Sequence, residues 1–393
     1  MAMQAPANAP LVCHGHSRPI NHLEYSNVTE DGVFLISSSK GANPPLGLSR
    51  GSTARDHPAA REDTAVPIGA RASRVISKRL LFFENLGSTF FSRIAEPPNR
   101  RRSRRAVRLV SHIVDSHFFS TNSKTDGQPM IRNGETGDWI GTFEGHKGCV
   151  WGATLNAPAT HAATASADFS ARLWNAITGD ELYKFEHKHI VKSVCFSKDC
   201  QRLLTGGSEK LLRIYDLGNI DAAPYVMEGS PSQIRTAQFT ADDSLIMSSC
   251  ADDKGIRVWD VRTNVVVTTL ATDTPVTSIE ITENGRYITT ADGKNVTFFD
   301  AMTFTPVKKW TLPYEAESAS VCVPQNRFVA GGADMWVHVH DMTTGNEVDV
   351  GKGHHGPVHS VRFAPDGMSY ASGSEDGTIR LWKTFPEGKP ATK

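Results

Sequence analysis

The sequence predicts an all-β fold, a seven-bladed β-propeller. Three observations support this fold class: one unit recurs about every 42 residues, the spacing inside the unit is constant, and turn residues divide each unit into short strands. The chain has 393 residues, with 42 Lys and Arg against 42 Asp and Glu. This composition excludes collagen-like, coiled-coil and globally disordered proteins. A repeat architecture lets a chain of this length form one domain instead of two or three.

The repeated unit ends in an aromatic residue or His that is usually followed by Asp. The second residues of these closing pairs are Asn133, Asn175, Asp216, Asp260, Asp300, Asp341 and Lys383. Successive members are 42, 41, 44, 40, 41 and 42 residues apart. Seven units at nearly constant spacing predict seven blades, which we number one to seven in chain order.

Several units also open with a Gly-His pair. These openings are Gly15-His16, Gly145-His146 and Gly353-His354, and His187 takes the same place after Glu186. From this His to the closing aromatic residue there are 28 residues in blades two, three and seven. The register is therefore constant within the blade as well as between blades.

Blades four to six match the repeat less well. Blade four opens with Gly229-Ser230 and lacks the His, blade five has Asp292-Gly293 in place of the usual acidic position, and blade six closes with His340. We expect these blades to keep the fold with altered local contacts.

Turn residues divide the last unit into strands. Residues 357–365 alternate between apolar and polar side chains up to the turn Pro365-Asp366-Gly367. Residues 369–374 precede a second turn, Glu375-Asp376-Gly377, and residues 378–383 follow it. This pattern predicts three antiparallel strands, and an outer-strand segment follows the closing pair in blades one to six.

A period of 40–45 residues that opens with Gly-His and closes with Trp-Asp resembles the WD-repeat family. The resemblance implies a buried hydrogen-bond chain in each blade, from the closing indole to a hydroxyl, a His and an Asp. The residues at these positions are His146, Thr164, Asp168 and Trp174 in blade two, His187, Thr205, Glu209 and Tyr215 in blade three, Ser249, Asp253 and Trp259 in blade four, and His354, Ser372, Asp376 and Trp382 in blade seven.

A hydroxyl, a His and a carboxylate are also the groups of an acyl-transfer triad. An active site is normally built once, whereas this set recurs from blade to blade. The sequence therefore predicts a structural role, no catalytic residues and no enzyme activity.

Histidine pairs raise the alternative of a metal site, because imidazole nitrogens are common metal ligands. The pairs are His14/His16, His187/His189, His338/His340 and His354/His355. Most of them lie at blade openings or closures, where the structural role explains them. We therefore expect no metal and no cofactor.

Ring closure is predicted from the two ends of the repeat region. The residues that follow Trp382 are charged, contain Pro and form a poor strand, whereas residues 9–13 precede blade one and have strand character. The N-terminal segment is therefore expected to supply the outer strand of blade seven, which removes a free sheet edge.

Blade one contains a long insertion. From His16 to Arg132 there are 116 residues instead of 28, an excess of 116 − 28 = 88. The sequence thus predicts a propeller over 1–40 and 126–383, a basic insertion of low order over 41–125, and a short C-terminal tail over 384–393.

The insertion is basic and carries an arginine cluster. Residues 41–124 contain 15 Lys and Arg and 6 Asp and Glu, a net charge of +9, which leaves −9 for the rest of the chain. The cluster consists of Arg100, Arg101, Arg102, Arg104 and Arg105. Three interpretations stay open: a nucleic-acid or nuclear-import element, a solvated loop without a role, and a gene-model error such as translated intron.

Within the WD-repeat family, six segments are similar to a non-enzymatic scaffold of the SMN complex. These segments are 15–26, 126–156, 167–182, 187–197, 203–217 and 356–382. The resemblance implies a role in spliceosomal snRNP assembly and mRNA splicing through protein partners, namely SMN-complex subunits of the Gemin family and unr. The alternatives are an i-like subunit of translation initiation factor three and a signalling scaffold of TGF-β receptor type.

The remaining expectations concern location and assembly. The N-terminus has no signal peptide, no segment has the length of a membrane span, and the six Cys form no C-x-x-C pair. We expect a cytoplasmic and nuclear protein without membrane contact, whose propeller is a monomer within a complex. Because the ring is acidic, we expect RNA contact to be indirect.

Overall fold

The computed structural model describes residues 9–39, 127–282 and 284–384. In these ranges, 28 β-strands form seven four-stranded antiparallel sheets. The prediction of an all-β, seven-bladed propeller is therefore confirmed. The described ranges contain no helix with the length and apolar character that a bilayer span requires.

The strands follow the blade order of the sequence. Blade one contains β2 (Ile20–Tyr25), β3 (Phe34–Ser39), β4 (Met130–Asn133) and β5 (Trp139–Thr142). Blade two contains β6 (Val150–Leu155), β7 (His161–Ser166), β8 (Ser170–Asn175) and β9 (Glu181–Glu186). Blade three contains β10 (Val191–Phe196), β11 (Arg202–Gly207), β12 (Leu212–Asp216) and β13 (Tyr225–Met227). Blade four contains β14 (Ile234–Phe239), β15 (Leu245–Cys250), β16 (Gly255–Asp260) and β17 (Val265–Ala271).

The last three blades repeat this arrangement. Blade five contains β18 (Ser278–Ile281), β19 (Tyr287–Asp292), β20 (Asn295–Asp300) and β21 (Pro306–Thr311). Blade six contains β22 (Ala316–Cys322), β23 (Arg327–Gly332), β24 (Val337–Asp341) and β25 (Glu347–Gly351). Blade seven contains β26 (Val358–Phe363), β27 (Ser369–Ser374) and β28 (Ile379–Lys383), with β1 (Leu11–Cys13) as its outer strand.

The blades close into a ring around their first strands. Each of β2, β6, β10, β14, β18, β22 and β26 contacts the first strands of both neighbouring blades. These seven strands are therefore innermost, and the outer strands lie at the periphery. A sheet closed in this way leaves only short edges exposed.

The N-terminal segment completes blade seven, as the sequence predicts. β1 pairs antiparallel with β28, with Leu11 opposite Leu381 and Cys13 opposite Ile379. Cys13 is buried in the same apolar cluster as Ile20 and Leu23 of blade one. The first residues of the propeller thus connect its first and last blades.

The core lies between adjacent blades. Leu173 and Phe185 of blade two, for example, pack in one cluster with Val191 and Leu203 of blade three. The closing Trp174, Trp259 and Trp382 are among the largest fully buried side chains. Each large apolar side chain buried in this way contributes about 1.5–3 kcal/mol of transfer free energy, so every blade is stabilised by its neighbours.

The strands on either side of the insertion pair directly. Phe34 lies opposite Asn133 and Ser37 opposite Met130. The two halves of blade one therefore meet in one sheet, as their sequences predict. Residues 41–125 and the arginine cluster at 100–105 lie outside the described residues.

The antiparallel order divides the connections between two faces. One face carries the loops that enter the innermost strands and the turns that join second to third strands, and we call it the Gly-His face. Its loops are 14–19, 143–149, 187–190, 228–233, 272–277, 312–315 and 352–357, and its turns are 167–169, 208–211, 251–254, 293–294, 333–336 and 375–378. The other connections form the opposite face.

Candidate functional site

Blade two brings its four sequence-selected residues into one hydrogen-bonded chain. The Trp174 indole N–H donates to Thr164 Oγ1 at 2.8 Å, and Thr164 Oγ1 lies 2.6 Å from His146 Nε2. His146 Nδ1 lies 2.8 Å from Asp168 Oδ2. Burial lowers the pKa of His146. A neutral imidazole that donates from Nδ1 to Asp168 and accepts the Thr164 proton at Nε2 satisfies all four groups.

Blade seven repeats the chain. Trp382 donates to Ser372 Oγ at 2.9 Å, His354 Nε2 lies 2.7 Å from that oxygen, and His354 Nδ1 lies 3.1 Å from Asp376 Oδ2. Burial would raise the pKa of Asp376, but hydrogen bonds from the backbone N–H groups of His355 and Thr378 lower it to about 2. The carboxylate therefore stays charged at neutral pH and fixes the loop that opens the blade.

Blade three differs because its closing residue is Tyr215. The phenol oxygen lies 3.4 Å from His187 Nε2. Arg213 contacts His187 Nδ1 at 2.6 Å and Glu209 at short range, whereas His187 and Glu209 are 3.9 Å apart. The guanidinium thus replaces the direct contact between imidazole and carboxylate.

Thr205 is the weakest member of the chain of blade three. Its buried hydroxyl lies next to the Tyr215 hydroxyl but forms no hydrogen bond of normal geometry among the described residues. The physical reason is the closing residue: Tyr215 offers no indole N–H, and its hydroxyl also contacts His187. Burial, with the charge of Arg213, lowers the pKa of His187 to about 4.

Blade four requires a correction to the sequence analysis. The indole of Trp259 donates to Ser248 Oγ at 2.8 Å, not to the predicted Ser249, which donates to the Val276 carbonyl at 3.2 Å. Asp253 forms an ion pair with Arg257 at 2.9 Å, and blade four has no opening His that could connect this pair to Ser248.

The length of the hairpin between the second and third strands explains why the prediction that Ser249 bonds to Trp259 is wrong. Five residues, 166–170, separate the last strand pair Ala165–Ala171 in blade two, whereas six, 250–255, separate Ser249–Ile256 in blade four. A shift of one residue turns a side chain to the other face of the sheet. Ser248 therefore takes the position of Thr164.

Blade six replaces an arginine with a histidine. In blade two Arg172 bridges Asp168 at 3.7 Å and Glu181 at shorter range. In blade six His338 bridges Asp334 at 2.7 Å and Glu347 at 2.6 Å. Both residues occupy the same register, Arg172 opposite Thr164 and His338 opposite Ala330.

This replacement accounts for a cluster with the composition of a metal site. His338, His340 and Glu347 each offer a ligand atom, and these atoms lie within 4.8 Å of one another. His340 Nε2 lies 2.9 Å from the Tyr314 hydroxyl. His338 stands at the position that Arg172 has in blade two, and hydrogen bonds account for all three side chains. We therefore interpret the cluster as a variant of the polar contacts of blade two.

The hydroxyls of these chains are inaccessible to a substrate. Thr164 and Ser372 are fully buried and accept the closing indole N–H groups. An acyl-transfer nucleophile must reach its substrate. In this geometry each chain connects the second and third strands of its blade to the loop that enters the first strand.

A ring of residues that the sequence analysis did not select surrounds the channel on the Gly-His face. In six blades a β-bulge skips the second residue of the innermost strand. The skipped residues are Asn21, Trp151, Lys192, Arg235, Glu317 and His359. Bulges of this kind reorient side chains next to binding sites. A buried apolar residue precedes each of them, and this was the signal that the sequence offered.

His359 shows how these residues interact across blades. Its Nδ1 lies 2.6 Å from Glu317 and its Nε2 lies 2.6 Å from Glu375. The hydrogen bond to Glu317 raises the pKa of His359, and the contact with Glu375 acts in the same direction. The channel mouth is therefore acidic at blades six and seven.

A cavity of about 380 Å³ occupies the other end of the channel. Arg362 donates to Ser318 Oγ at 3.0 Å and reaches Ser278 at 3.4 Å, while Glu280 accepts from Ser320 at 2.9 Å. Burial raises the pKa of Glu280. The charged groups of the cavity are thus held by hydroxyls of neighbouring blades.

Comparison with known proteins places this ring in a family. Four segments match the WD domain, G-beta repeat: residues 137–175, 179–216, 224–260 and 345–383. The serine-threonine kinase receptor-associated protein of Gallus gallus is 50% identical over 274 residues, 70% of this chain and 78% of that protein. The protein of the same name from Dictyostelium discoideum is 48% identical over 265 residues, 67% of this chain and 90% of that protein.

A second group of relatives is more distant. Subunit I of eukaryotic translation initiation factor 3 from Drosophila willistoni is 27% identical over 307 residues, 70% of this chain and 94% of that protein. The identity of 48–50% to the receptor-associated proteins is much higher. The chain therefore belongs to the family of serine-threonine kinase receptor-associated proteins, which are WD-repeat scaffold proteins.

Proposed function

We propose that this chain is a non-enzymatic scaffold in the assembly of spliceosomal snRNPs, and thereby in mRNA splicing. Its partners in this proposal are SMN-complex subunits of the Gemin family and unr, which it meets in the cytoplasm and the nucleus. The observation that carries the proposal is sequence identity of 48–50% over 78–90% of the length of the receptor-associated proteins.

The geometry supports a scaffold because the polar chains of the blades are buried and repeated. His146 and Asp168 of blade two and His354 and Asp376 of blade seven stabilise connections, so the exposed loops are free to differ between blades. Loops on a rigid frame are the usual place of recognition in such folds. A monomeric ring can therefore present several surfaces to several protein partners.

Charge supports proteins rather than RNA as the partners of the ring as a whole. Outside residues 41–124 the chain carries 27 basic and 36 acidic residues, a net charge of −9. A negative field opposes the approach of a phosphate backbone. RNA contact in this proposal is indirect, through partners that bind RNA themselves.

The arginine cluster at 100–105 could supply an import signal or a phosphate contact within the same proposal. Sequencing the transcript between Lys40 and Asp126 tests this: a mature message without codons 41–125 would remove the element from the protein.

Two alternatives have specific support. The name of the relatives connects them with a serine-threonine kinase receptor, which favours a signalling scaffold of TGF-β receptor type. The 27% identity to subunit I of initiation factor 3 favours an i-like translation subunit.

Affinity purification of the tagged full chain, followed by mass spectrometry, separates these candidates. Recovery of SMN, Gemin and Sm proteins is the expected result. Recovery of initiation-factor subunits or of a receptor kinase without SMN-complex subunits would contradict the proposal and favour the corresponding alternative.

A further inference from the structure

Among the cations on the Gly-His face of the otherwise acidic ring, a group of five in blades two to four has no ion-pair partner among the described residues. They are Lys147, Lys188, Lys192, Lys210 and Arg235, which we call the basic patch. Four of the five side chains are exposed, and Lys192 is half-buried. All five belong to connections or first-strand positions of blades two to four.

Contacts across blades make the patch continuous. Lys192 Nζ lies 5.8 Å from the ring centre of Trp151 in blade two and donates to Gln233 in blade four at 2.9 Å. Lys210 Nζ donates to the Pro231 carbonyl of blade four at 3.3 Å. The patch therefore extends over three neighbouring blades.

Two carboxylates beside these lysines, Asp168 and Glu209, are already engaged. Asp168 holds His146 and the N–H of Lys147, and Glu209 holds Arg213 and the N–H groups that follow His187. These contacts orient the loops and leave the lysine side chains to solvent.

The cations also repel one another. Burial and the charge of Arg235 lower the pKa of Lys192, and Asp252 offsets part of this effect. Two like charges held close together without a bound anion favour an anionic ligand.

An exposed aromatic residue at the same loops adds a hydrophobic contact. Phe169 is 47% exposed and has a backbone φ of 65°, a left-handed conformation that bulky residues rarely adopt. The equivalent turns also have a positive φ, at Lys210 in blade three (63°), Met335 in blade six (69°) and Gly377 in blade seven (75°). Phe169 packs edge-on against His189, with ring centroids 6.2 Å apart, directly beside Lys188. The turn therefore sets this backbone conformation, and the exposed ring of Phe169 at the loop tip offers an apolar contact to a partner.

We propose that the basic patch, with Phe169 and Trp151 beside it, docks an acidic protein segment that also carries apolar side chains. Carboxylates of the segment pair with Lys192 and Arg235, and an apolar side chain packs on Phe169. The ring thus has one local site for acidic partners, although its net charge favours basic ones.

A peptide is favoured over RNA by the surroundings of the patch. The ring carries a net charge of −9 outside 41–124, which repels a long polyanion more than a short mixed segment. Trp151 is half-buried, so it offers little face on which a base could stack.

Fluorescence anisotropy with model peptides tests the proposal on the full chain. The probe is a labelled peptide in which glutamate alternates with phenylalanine and glycine, and the comparison probes are its lysine counterpart and single-stranded oligouridine. We expect the glutamate peptide to bind the wild-type protein most tightly, with an affinity that falls as salt is added.

Variants locate the binding. The double substitution Lys192→Gln with Arg235→Gln should weaken binding of the glutamate peptide by about tenfold or more. The control, Lys198→Gln with Arg262→Gln, removes the same charge from the opposite face and should leave binding unchanged. Phe169→Gly should weaken binding and melt at or above the wild-type temperature, because Gly relieves the strained backbone.

Three results would overturn the proposal. These are no binding of the glutamate peptide by the wild-type protein, equal losses in the two double variants, and tighter binding of oligouridine than of the glutamate peptide. The proposal rests on the scaffold function only in requiring a protein partner. Because the test uses synthetic peptides, its failure is distinct from failure to recover SMN-complex proteins.

Discussion

The hydroxyl of Ser193 in blade three satisfies both backbone polar groups of Ala237 in blade four. It donates to the Ala237 carbonyl at 3.1 Å and accepts from the Ala237 N–H at 2.9 Å. The innermost strands have a backbone edge that no strand pairs with, and buried backbone groups need partners. Ser320 bonds to Phe363 N at 2.9 Å and Ser360 to Leu23 N at 3.2 Å in the same sense around the ring.

The substitution Ser193→Ala is expected to lower the free energy of unfolding by about 1–3 kcal/mol, because it leaves buried groups of Ala237 without a partner. Urea denaturation at neutral pH measures this. Ser244→Ala, at an exposed hydroxyl on the opposite face, serves as the control and should change stability by less than about 0.5 kcal/mol. If Ser193→Ala changed stability as little as Ser244→Ala, the Ser193 hydroxyl would be dispensable.

Removal of the Asp168 carboxylate in blade two should lower the free energy of unfolding more than Ser193→Ala does. Asp168→Ala breaks a largely buried interaction with His146 and Arg172, and we expect a loss of about 3–5 kcal/mol. Asp376→Ala should act similarly in blade seven. Asp253→Ala is the matched comparison and should cost less, because Asp253 is more exposed and has Arg257 but no His partner. A melting temperature of Asp168→Ala equal to that of the wild type would refute this role.

Stability should fall between pH 6.5 and pH 4. The folded pKa of His187 is lowered to about 4, so in this range the unfolded chain binds a proton that the folded protein does not. The stability contribution is complete above the unfolded pKa and is lost as pH falls toward 4. At pH 5 the difference amounts to about 2 kcal/mol for His187 alone.

The variant His187→Gln isolates this contribution. Urea denaturation at pH 7.5 and pH 5 should show a smaller pH effect for the variant than for the wild type. An unchanged difference between the two pH values would assign the acid sensitivity to other groups, such as His146 and His354, whose pKa values are also lowered by burial.

Deletion of residues 1–13 should destabilise the whole ring. It removes β1, unpairs the outer edge of β28 and exposes Leu381, which is buried in the intact blade. An exposed strand edge also promotes association. Thermal unfolding and size-exclusion chromatography measure the two effects. Deletion of residues 1–8 retains β1 and is the control; if the longer deletion were as stable as the shorter one, β1 would not be needed for closure.

Much of the fold follows from the sequence because the repeat is encoded over short distances. Counting back from Trp259 to Asp253 stays on one side of the hairpin, and Asp253 lies beside Arg257. Counting further to Ser249 fails, since it crosses a turn that is one residue longer than in blade two. In blade three spacing predicts the position of Thr205, but Tyr215 offers no indole N–H to its hydroxyl.

The surface features could not be predicted in the same way. Lys192, Arg235 and Trp151 come from three units of the repeat, and each is unremarkable within its own segment. Ring closure brings them together, and the bulges that turn them to the channel mouth depend on pairing with the second strands.

The sequence alone determined the number of blades, their order, the closing residues and the role of the N-terminal strand, because spacing along a chain constrains which residues can pair. It also determined the charge balance between the insertion and the remaining chain. Only the tertiary structure decided which hydroxyl meets Trp259, how Arg213 and His338 replace standard partners, and where cations collect on an acidic ring. These features depend on distances between side chains of different strands and blades, which spacing along the chain does not specify.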